Sequence, residues 1–256
     1  MANYHLEVQA ISRGKGRSVT KLANYISGYK LHDSYTDRTY YHRRSDVLCC
    51  KVYQPAHAPL GYHNLQHLCN EIDRAEKRYD ARTAREFKCS LPNELPTQEL
   101  IRIISEYIDT NFTSQGLCAI AAIHEGRNKL DPSKSNPHVH IIVPTRVVRL
   151  DGFSKKKDRE HDKRKYITLW RERWAEVQNR AYERCRLDIR VSHESLEIQG
   201  KDDREPTIHL SRIDWQKEQR GEHTEAGDKK RDVEERNIKR VQQRQLERDH
   251  ELEIER

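Results

Sequence analysis

Leu117-Cys118-Ala119-Ile120-Ala121-Ala122-Ile123-His124 and His138-Val139-His140-Ile141-Ile142-Val143-Pro144 are two strands dense in Ile, Val and Ala, and the fold is read outward from them. A polar stretch rich in Lys, Asp, Ser and Asn separates them. Upstream, Thr97 precedes Leu100, Ile101, Ile103, Ile104, Tyr107 and Ile108, the i, i+3, i+4, i+7 spacing of an amphipathic helix reaching about Phe112. Before that helix, Ala84 to Leu91 alternates, with Glu86, Lys88 and Ser90 on one face and Phe87, Cys89 and Leu91 on the other. A strand over Val47 to Tyr53, a helix from about Tyr62 to Arg78 and a first strand over Tyr4 to Ile11 complete the series. Strands and helices in this order imply an α+β fold, an antiparallel sheet with helices on one face and a ferredoxin-like or RRM-like core.

Local signals place the remaining segments. Ser12 to Ser18 is a loop of glycines and cations, Arg13, Lys15 and Arg17 among them. Ser18 is positioned to N-cap a short helix that carries Tyr25 and stops at Gly28. Residues 29–46 are tyrosine-rich without a period and read as a loop. Arg146 to Lys165 is a basic loop containing Lys155-Lys156-Lys157, followed by a helix over about Thr168 to Arg186. Trp170 and Trp174, at i, i+4 on that helix, read as core residues rather than base-stacking platforms. The expected division is a catalytic domain over 1–213 and a charged tail over 214–256, helical or disordered.

The 256 residues are 34% hydrophobic and 35% charged, with a formal net charge of +7. That balance favours a polyanionic partner through long-range attraction. Six cysteines include no C-x-x-C pair and read as reduced, partly buried thiols. Neither a signal peptide nor an apolar run of membrane-spanning length is evident, so a cytoplasmic protein without membrane insertion is expected.

The candidate chemistry centres on Asn136-Pro137-His138-Val139-His140. Side chains at i and i+2 of a strand share a face, so both imidazoles point one way while Val139 and Ile141 point into the core. A hairpin between the two apolar strands brings His124 beside them. Three neutral imidazoles suit a divalent ion with open positions, able to polarise a phosphate oxygen. Tyr25, near Arg17, Lys21 and Lys30 in the chain, is a candidate nucleophile on phosphorus, since a phenolate can form a covalent phosphotyrosine. Among twelve tyrosines, however, spacing alone does not single it out.

A resemblance does. Tyr4-His5-Leu6, Ser12 to Ser18 and Ala23-Asn24-Tyr25-Ile26-Ser27-Gly28 resemble the opening of the MobA/MobL plasmid mobilization relaxases, members of the HUH endonuclease superfamily. Ala84-Arg85-Glu86, Leu91-Pro92-Asn93-Glu94-Leu95, Ile123-His124-Glu125, the His-x-His block, Gly152-Phe153, Trp170 to Ala175, Gln199-Gly200 and Pro206 to Leu210 follow in the family's order. The resemblance spans about residues 3–210. It implies that Tyr25 is the nucleophile, that His124, His138 and His140 hold Mg or Mn, and that Glu86 supports the site, by orienting a histidine or taking the tyrosine proton.

The same resemblance implies nicking of single-stranded DNA at an origin of transfer, with relaxosome accessory and coupling proteins as partners. Arg13, Lys15, Arg17, Lys155, Lys156 and Lys157 are the candidate phosphate contacts. In the family Asp-His-Arg-Ser often precedes the Gln-Gly block, whereas this chain has Ser192-His193-Glu194-Ser195. The loop before Asn136 is also longer than in many relatives. Three other readings compete. A replication initiator or transposase would take its nucleophile from a later helix, at Tyr166 or Tyr182. A relaxase-like module could bind single strands without turnover. A three-histidine zinc hydrolase would use water on small substrates.

Overall fold

The computed structural model describes residues 4–126, 135–200, 204–208 and 210–254. In chain order its elements are β1 (Leu6–Ser12), α1 (Val19–Ser27), β2 (Leu31–Asp33), β3 (Arg38–Tyr40), β4 (Val47–Tyr53), α2 (Leu65–Arg74), β5 (Arg82–Ser90), α3 (Thr97–Asn111), β6 (Ala119–His124), β7 (His138–Pro144), β8 (Val148–Arg149), β9 (Gly152–Phe153), α4 (Arg164–Arg184), α5 (Arg212–Gln219) and α6 (Glu225–Ile254). Residues 127–134, most of the loop before Asn136, and His209 of the last resembling block lie outside the described residues.

Five strands form one antiparallel sheet in the order β1-β5-β7-β6-β4. The α+β class and the antiparallel sheet therefore stand. The central pair β6 and β7 is the one whose apolar density opened the sequence reading, and all six residues of β6 are buried. Strands buried on both faces read as continuous apolar runs rather than alternating ones, which is why this pair is the plainest feature of the chain.

The expectation of helices on one face is corrected. One face, bearing Phe87, Cys89, Val139 and Ile141, packs against Leu100, Ile103 and Ile104 of α3 and Trp170 and Trp174 of α4. The opposite face divides along its length. Ile11, Ala84, Ile120 and Ile142 pack under Val19, Ala23 and Ile26 of α1 and Leu68, Cys69 and Ile72 of α2. Beyond them, toward the start of β7, the same face carries Glu86, His124, His138 and His140. Alternation in β5 places Glu86 on the polar side of the strand, with Lys88 and Ser90. Glu86 is nonetheless 1% exposed, because its charge is satisfied by partners from other elements.

Helix boundaries follow their caps. The Ser18 side chain accepts from the Lys21 amide, and Gly28 ends α1 in the left-handed region at φ 72°. α2 is shorter than expected because Asn64, not the apolar residues before it, supplies the cap. α4 begins earlier, within the Lys163-Arg164-Lys165 run that was assigned to the loop. Two short hairpins, β2–β3 and β8–β9, occupy segments read as loops.

The chain divides into a unit over 1–193 and a unit over 194–256. The break precedes the compositional change near residue 214, because the last packing residue of the sheet unit is Val191, tied through its backbone to Asn179 of α4. In the second unit α5 and α6 are joined by the Glu218 carboxylate, which accepts from Arg231 and Thr224. Among the described residues no helix is long and apolar enough to cross a membrane.

Trp174 is fully buried, with its ring edge-on to Tyr107 at 4.9 Å between centroids. Trp174→Ala is expected to cost about 3–5 kcal/mol in chemical denaturation. A stability change under ~1 kcal/mol would mean that this residue is not part of the core.

Candidate metal centre and tyrosine helix

His138 stands directly opposite His124 across β6 and β7, and His140 opposite Ala122. One nitrogen from each of the three histidines lies within 4.8 Å of the others. The remaining nitrogens are each held by an acceptor. His124 Nε2 donates to the Ile26 carbonyl at 2.7 Å, His138 Nδ1 to the Asn136 carbonyl at 2.9 Å, and His140 Nδ1 to Glu86 Oε1 at 2.9 Å. Since these oxygens only accept, the proton of each neutral ring is placed outward. The inward nitrogens, His124 Nδ1, His138 Nε2 and His140 Nε2, then carry lone pairs.

Two of those lone pairs, on His124 and His138, face each other at 3.4 Å. That arrangement is repulsive unless a cation lies between them. Nitrogens bound to one ion at about 2.0–2.1 Å stand roughly 3.0–3.5 Å apart, so the spacing fits a divalent metal. Burial lowers the His124 pKa to about 4, the Ile26 carbonyl opposes that shift, and Arg44 reinforces it; burial also lowers His138. Both rings are therefore neutral near pH 7, the form that binds metal.

Glu86 lies behind this centre. It is a diagonal neighbour of His140 across β5 and β7, since Glu86 is paired with Ile142. One carboxylate oxygen accepts from His140 and the other from Arg17. Burial would raise its pKa, but the hydrogen bond from His140, the charge of Lys88 and the bond from Arg17 outweigh that and leave it lowered. With one oxygen on His140 and the other on Arg17, Glu86 is placed to orient His140. Glu86 is buried, and the neighbouring Arg85 pairs instead with Asp162.

Tyr25 is 46% exposed near the end of α1. Its neighbour Ile26 supplies the carbonyl bonded to His124, so the helix end and the histidine cluster are in direct contact. The cation on the Tyr25 ring is Arg44, with its guanidinium carbon 4.9 Å from the ring centroid. Of the cations near Tyr25 in sequence, Arg17 is committed to Glu86 and Lys21 lies over Tyr40. His42 stacks on the Tyr25 ring at 5.2 Å. Sequence reading missed His42, Arg44 and Asp46 because they lie in an aperiodic segment. The one local signal was the Arg44-x-Asp46 charge pair just before β4.

The other basic candidates separate. Lys15, Lys155 and Lys156 are exposed. Arg13 is directed inward, pairing with Asp73 at 3.0 Å and donating to the Glu76 carbonyl at 2.7 Å. Lys157 pairs with Glu76 and donates to the Arg82 carbonyl at the start of β5. The Lys155–Lys157 run therefore lies at the opposite end of β5 from the histidines, roughly 20 Å away at about 3.3 Å per residue. The structure does not bring it to the cluster.

Tyr166 and Tyr182 are on α4, which packs on the sheet face opposite the histidines. Tyr182 is fully buried, and burial pushes its pKa up to about 12.

Gly126 is a further requirement that the sequence reading did not notice. It has φ 60°, and a Cβ there would collide with the Asn136 carbonyl oxygen and lie 3.1 Å from the His138 ring. Gly126→Ala is expected to weaken Mn binding at least about tenfold by isothermal titration, as loss of a histidine's supporting partner commonly does. Unchanged affinity would mean that the Asn136 bond does not orient His138. A second expectation concerns protons. In metal-free protein the His124 ring should titrate near pH 4 by proton NMR. Its folded pKa lies below the unfolded value of 6.5, so its contribution to stability is complete above about pH 6.5 and is lost as pH falls toward 4. A midpoint near 6.5 would refute the buried, outward-bonded ring.

A family model described as the MobA/MobL family matches residues 17–220. The chain is 30% identical over 254 residues to a probable mobilization protein MobA of Bifidobacterium longum (strain NCC 2705), covering 82% of this chain and 43% of that protein. It is 29% identical over 238 residues to a mobilization protein MobL of Acidithiobacillus ferridurans, covering 82% of this chain and 62% of that one. The chain thus spans about half the length of these curated relatives. A solved structure described as the molecular basis of vancomycin resistance transfer in Staphylococcus aureus shares the fold, with a TM-score of 0.68, 23% identity and coverage of 76% of this chain and 100% of the other. With the family model matching most of its length, the chain belongs to the MobA/MobL family.

Proposed function

We propose that the chain is a relaxase that nicks single-stranded DNA at an origin of transfer, with Tyr25 as nucleophile. The observation that carries the reading is the contact between the tyrosine helix and the histidine cluster through the Ile26 carbonyl and His124. Tyr25 Oη attacks phosphorus as the P–O3′ bond breaks. The phenol proton is lost to solvent, and the departing 3′ oxygen takes one up. A phosphodiester is exchanged for a 5′-phosphotyrosine, so a 3′ hydroxyl can later reverse the step without an energy source.

Glu86 holds His140 in one tautomer, and Arg17 compensates the buried carboxylate. His124 and His138 are fixed likewise by backbone carbonyls, so no ring has to reorient to bind. A divalent ion held by the three histidines would supply charge at a phosphate oxygen. The donor set is all imidazole nitrogen, which suits Mn better than Mg, an ion that keeps oxygen ligands. Lys15, Lys155 and Lys156 remain available for backbone phosphates. Arg13, Arg17 and Lys157 have their charges engaged within the protein. Accessory and coupling proteins, and a cytoplasmic setting, belong to this reading. The replication-initiator alternative loses support because its nucleophiles, Tyr166 and Tyr182, are on a helix packed against the far face of the sheet.

The test is denaturant-resistant capture of strands from a randomised single-stranded DNA pool with Mn. Wild-type protein is expected to form a covalent adduct whose captured strands define the substrate, and Tyr25→Phe to lower its rate at least about a thousandfold. Adduct formation by Tyr25→Phe at the wild-type rate would reassign the nucleophile. Cleavage without any adduct would favour a water-based hydrolase, and binding without cleavage a non-catalytic module.

A further inference from the structure

The segment between β3 and β4 carries a cation built into the end of the tyrosine helix. Arg44 Nε and Nη2 donate to the two oxygens of Asp46 at 2.8 and 2.6 Å. Its Nη1 donates to the Tyr25 carbonyl at 3.4 Å, and its side chain is 13% exposed. The segment passes close to Gly28, where an added Cβ would lie in contact, 3.4 Å from both the amide and the Cβ of Arg44. Asp46 is tied in turn to the strand end, since its carbonyl accepts from the Glu125 amide at 2.9 Å. Arg44 and Asp46 thus link the helix bearing Tyr25 to the residue that follows His124. The charge of Arg44 is felt at both His124 and His138.

The geometry of the pair leaves one side of the guanidinium clear of Asp46. Asp46 occupies the Nε–Nη2 edge. On its other side the group meets Tyr25, through the long bond to its carbonyl and a hydrogen bond with its side chain, and a planar fork of two N–H groups is the shape that pairs with two phosphate oxygens. An Arg–Asp pair kept only for stability would be worth at most about 1 kcal/mol when partly exposed. The contact with the Tyr25 ring adds about 0.5–1 kcal/mol as a cation–π interaction, and it also sets the guanidinium beside the proposed nucleophile.

We infer that Arg44 is a catalytic residue whose Nη1–Nη2 edge binds the nonbridging oxygens of the phosphate that becomes joined to Tyr25, with Asp46 as its positioning residue. The inference rests on Tyr25 being the nucleophile. The attacking and leaving atoms are those already given. Arg44 neither gives nor takes a proton, and its role is to stabilise the negative charge that builds on phosphorus oxygens during exchange.

The test uses the full chain and a strand captured by the wild-type protein. Arg44→Ala is expected to slow adduct formation about 100-fold to 1,000-fold, the loss typical of one donor to a developing oxyanion. Mn affinity should not fall, since a cation near the histidines is removed, the melting temperature should drop by no more than about 2–4 °C, and guanidinium chloride at non-denaturing concentration should restore part of the rate. Arg44→Lys should stay slow, because a point charge lacks the fork. A sulfur atom in place of one nonbridging oxygen should slow the wild type in one stereoisomer and have no such effect in Arg44→Ala.

If Arg44→Ala is unstable, the Arg44→Gln/Asp46→Asn pair, which leaves no charge unpaired, replaces it, and the same loss of rate and of the sulfur effect is expected. A wild-type rate in either variant overturns the inference. So does a slowed variant that keeps the stereospecific sulfur effect and gains nothing from guanidinium. Absence of an adduct with wild-type protein, or its persistence in Tyr25→Phe, is a separate result and strikes the nicking reading itself.

Discussion

A buried hydrogen bond from His124 to the carbonyl of Ile26 joins the two halves of the site. Carbonyls in the last turn of a helix have no partner within it, and burying one without a donor is costly. α1 ends against the sheet at the point where His124 can fill that need. The bond does three things together: it satisfies the helix end, fixes the His124 tautomer, and brings the residue beside Tyr25 to the histidine cluster. The direction of the inward His124 lone pair and the proposed chemistry both presuppose it.

The division of that face is itself a consequence of packing. Small and branched residues at Ala84, Ile120 and Ile142 let α1 and α2 lie close to the sheet. Where the same face changes to Glu86, His138 and His140, there is no apolar surface for a helix to cover, and α1 stops at Gly28. The apolar part of the face thus positions the tyrosine helix, and the polar part receives what the helix end carries. Burial on the opposite face, under α3 and α4, leaves this arrangement independent of the largest part of the core.

Much of the positive charge that suggests a nucleic-acid partner is spent inside the protein. Arg13 pairs with Asp73, Arg17 with Glu86, Arg44 with Asp46 and Arg146 with Glu76. Asp73 and Glu76 lie together at the end of α2, Glu86 on β5 and Asp46 before β4, and of the four pairs only Arg44 and Asp46 are near one another in sequence. The number of Lys and Arg residues therefore overstates what is available to phosphates, while the net charge of +7 already discounts such pairs. Exposed lysines such as Lys15, Lys155 and Lys156 are the better candidates. Ammonium groups are strongly hydrated and easily left in water, whereas guanidinium forks are suited to buried carboxylates.

Local sequence was enough to establish the five strands of the main sheet, the caps of α1, and the shared face of His138 and His140, because those follow from periods of two and 3.6 residues and from single side chains meeting adjacent backbone. Register across the β6–β7 hairpin followed from the same pattern and brought His124 to the pair. A supporting role for Glu86 came only from the family resemblance, and its pairing with His140, the burial of Arg13 and the presence of Arg44 on the Tyr25 ring were legible nowhere in the chain. Each depends on residues far apart in sequence meeting through the sheet order β1-β5-β7-β6-β4. Periodicity reports which way a side chain points from its own strand or helix. What stands opposite it, and so whether its charge faces water, a partner or a substrate, is decided only when the elements pack.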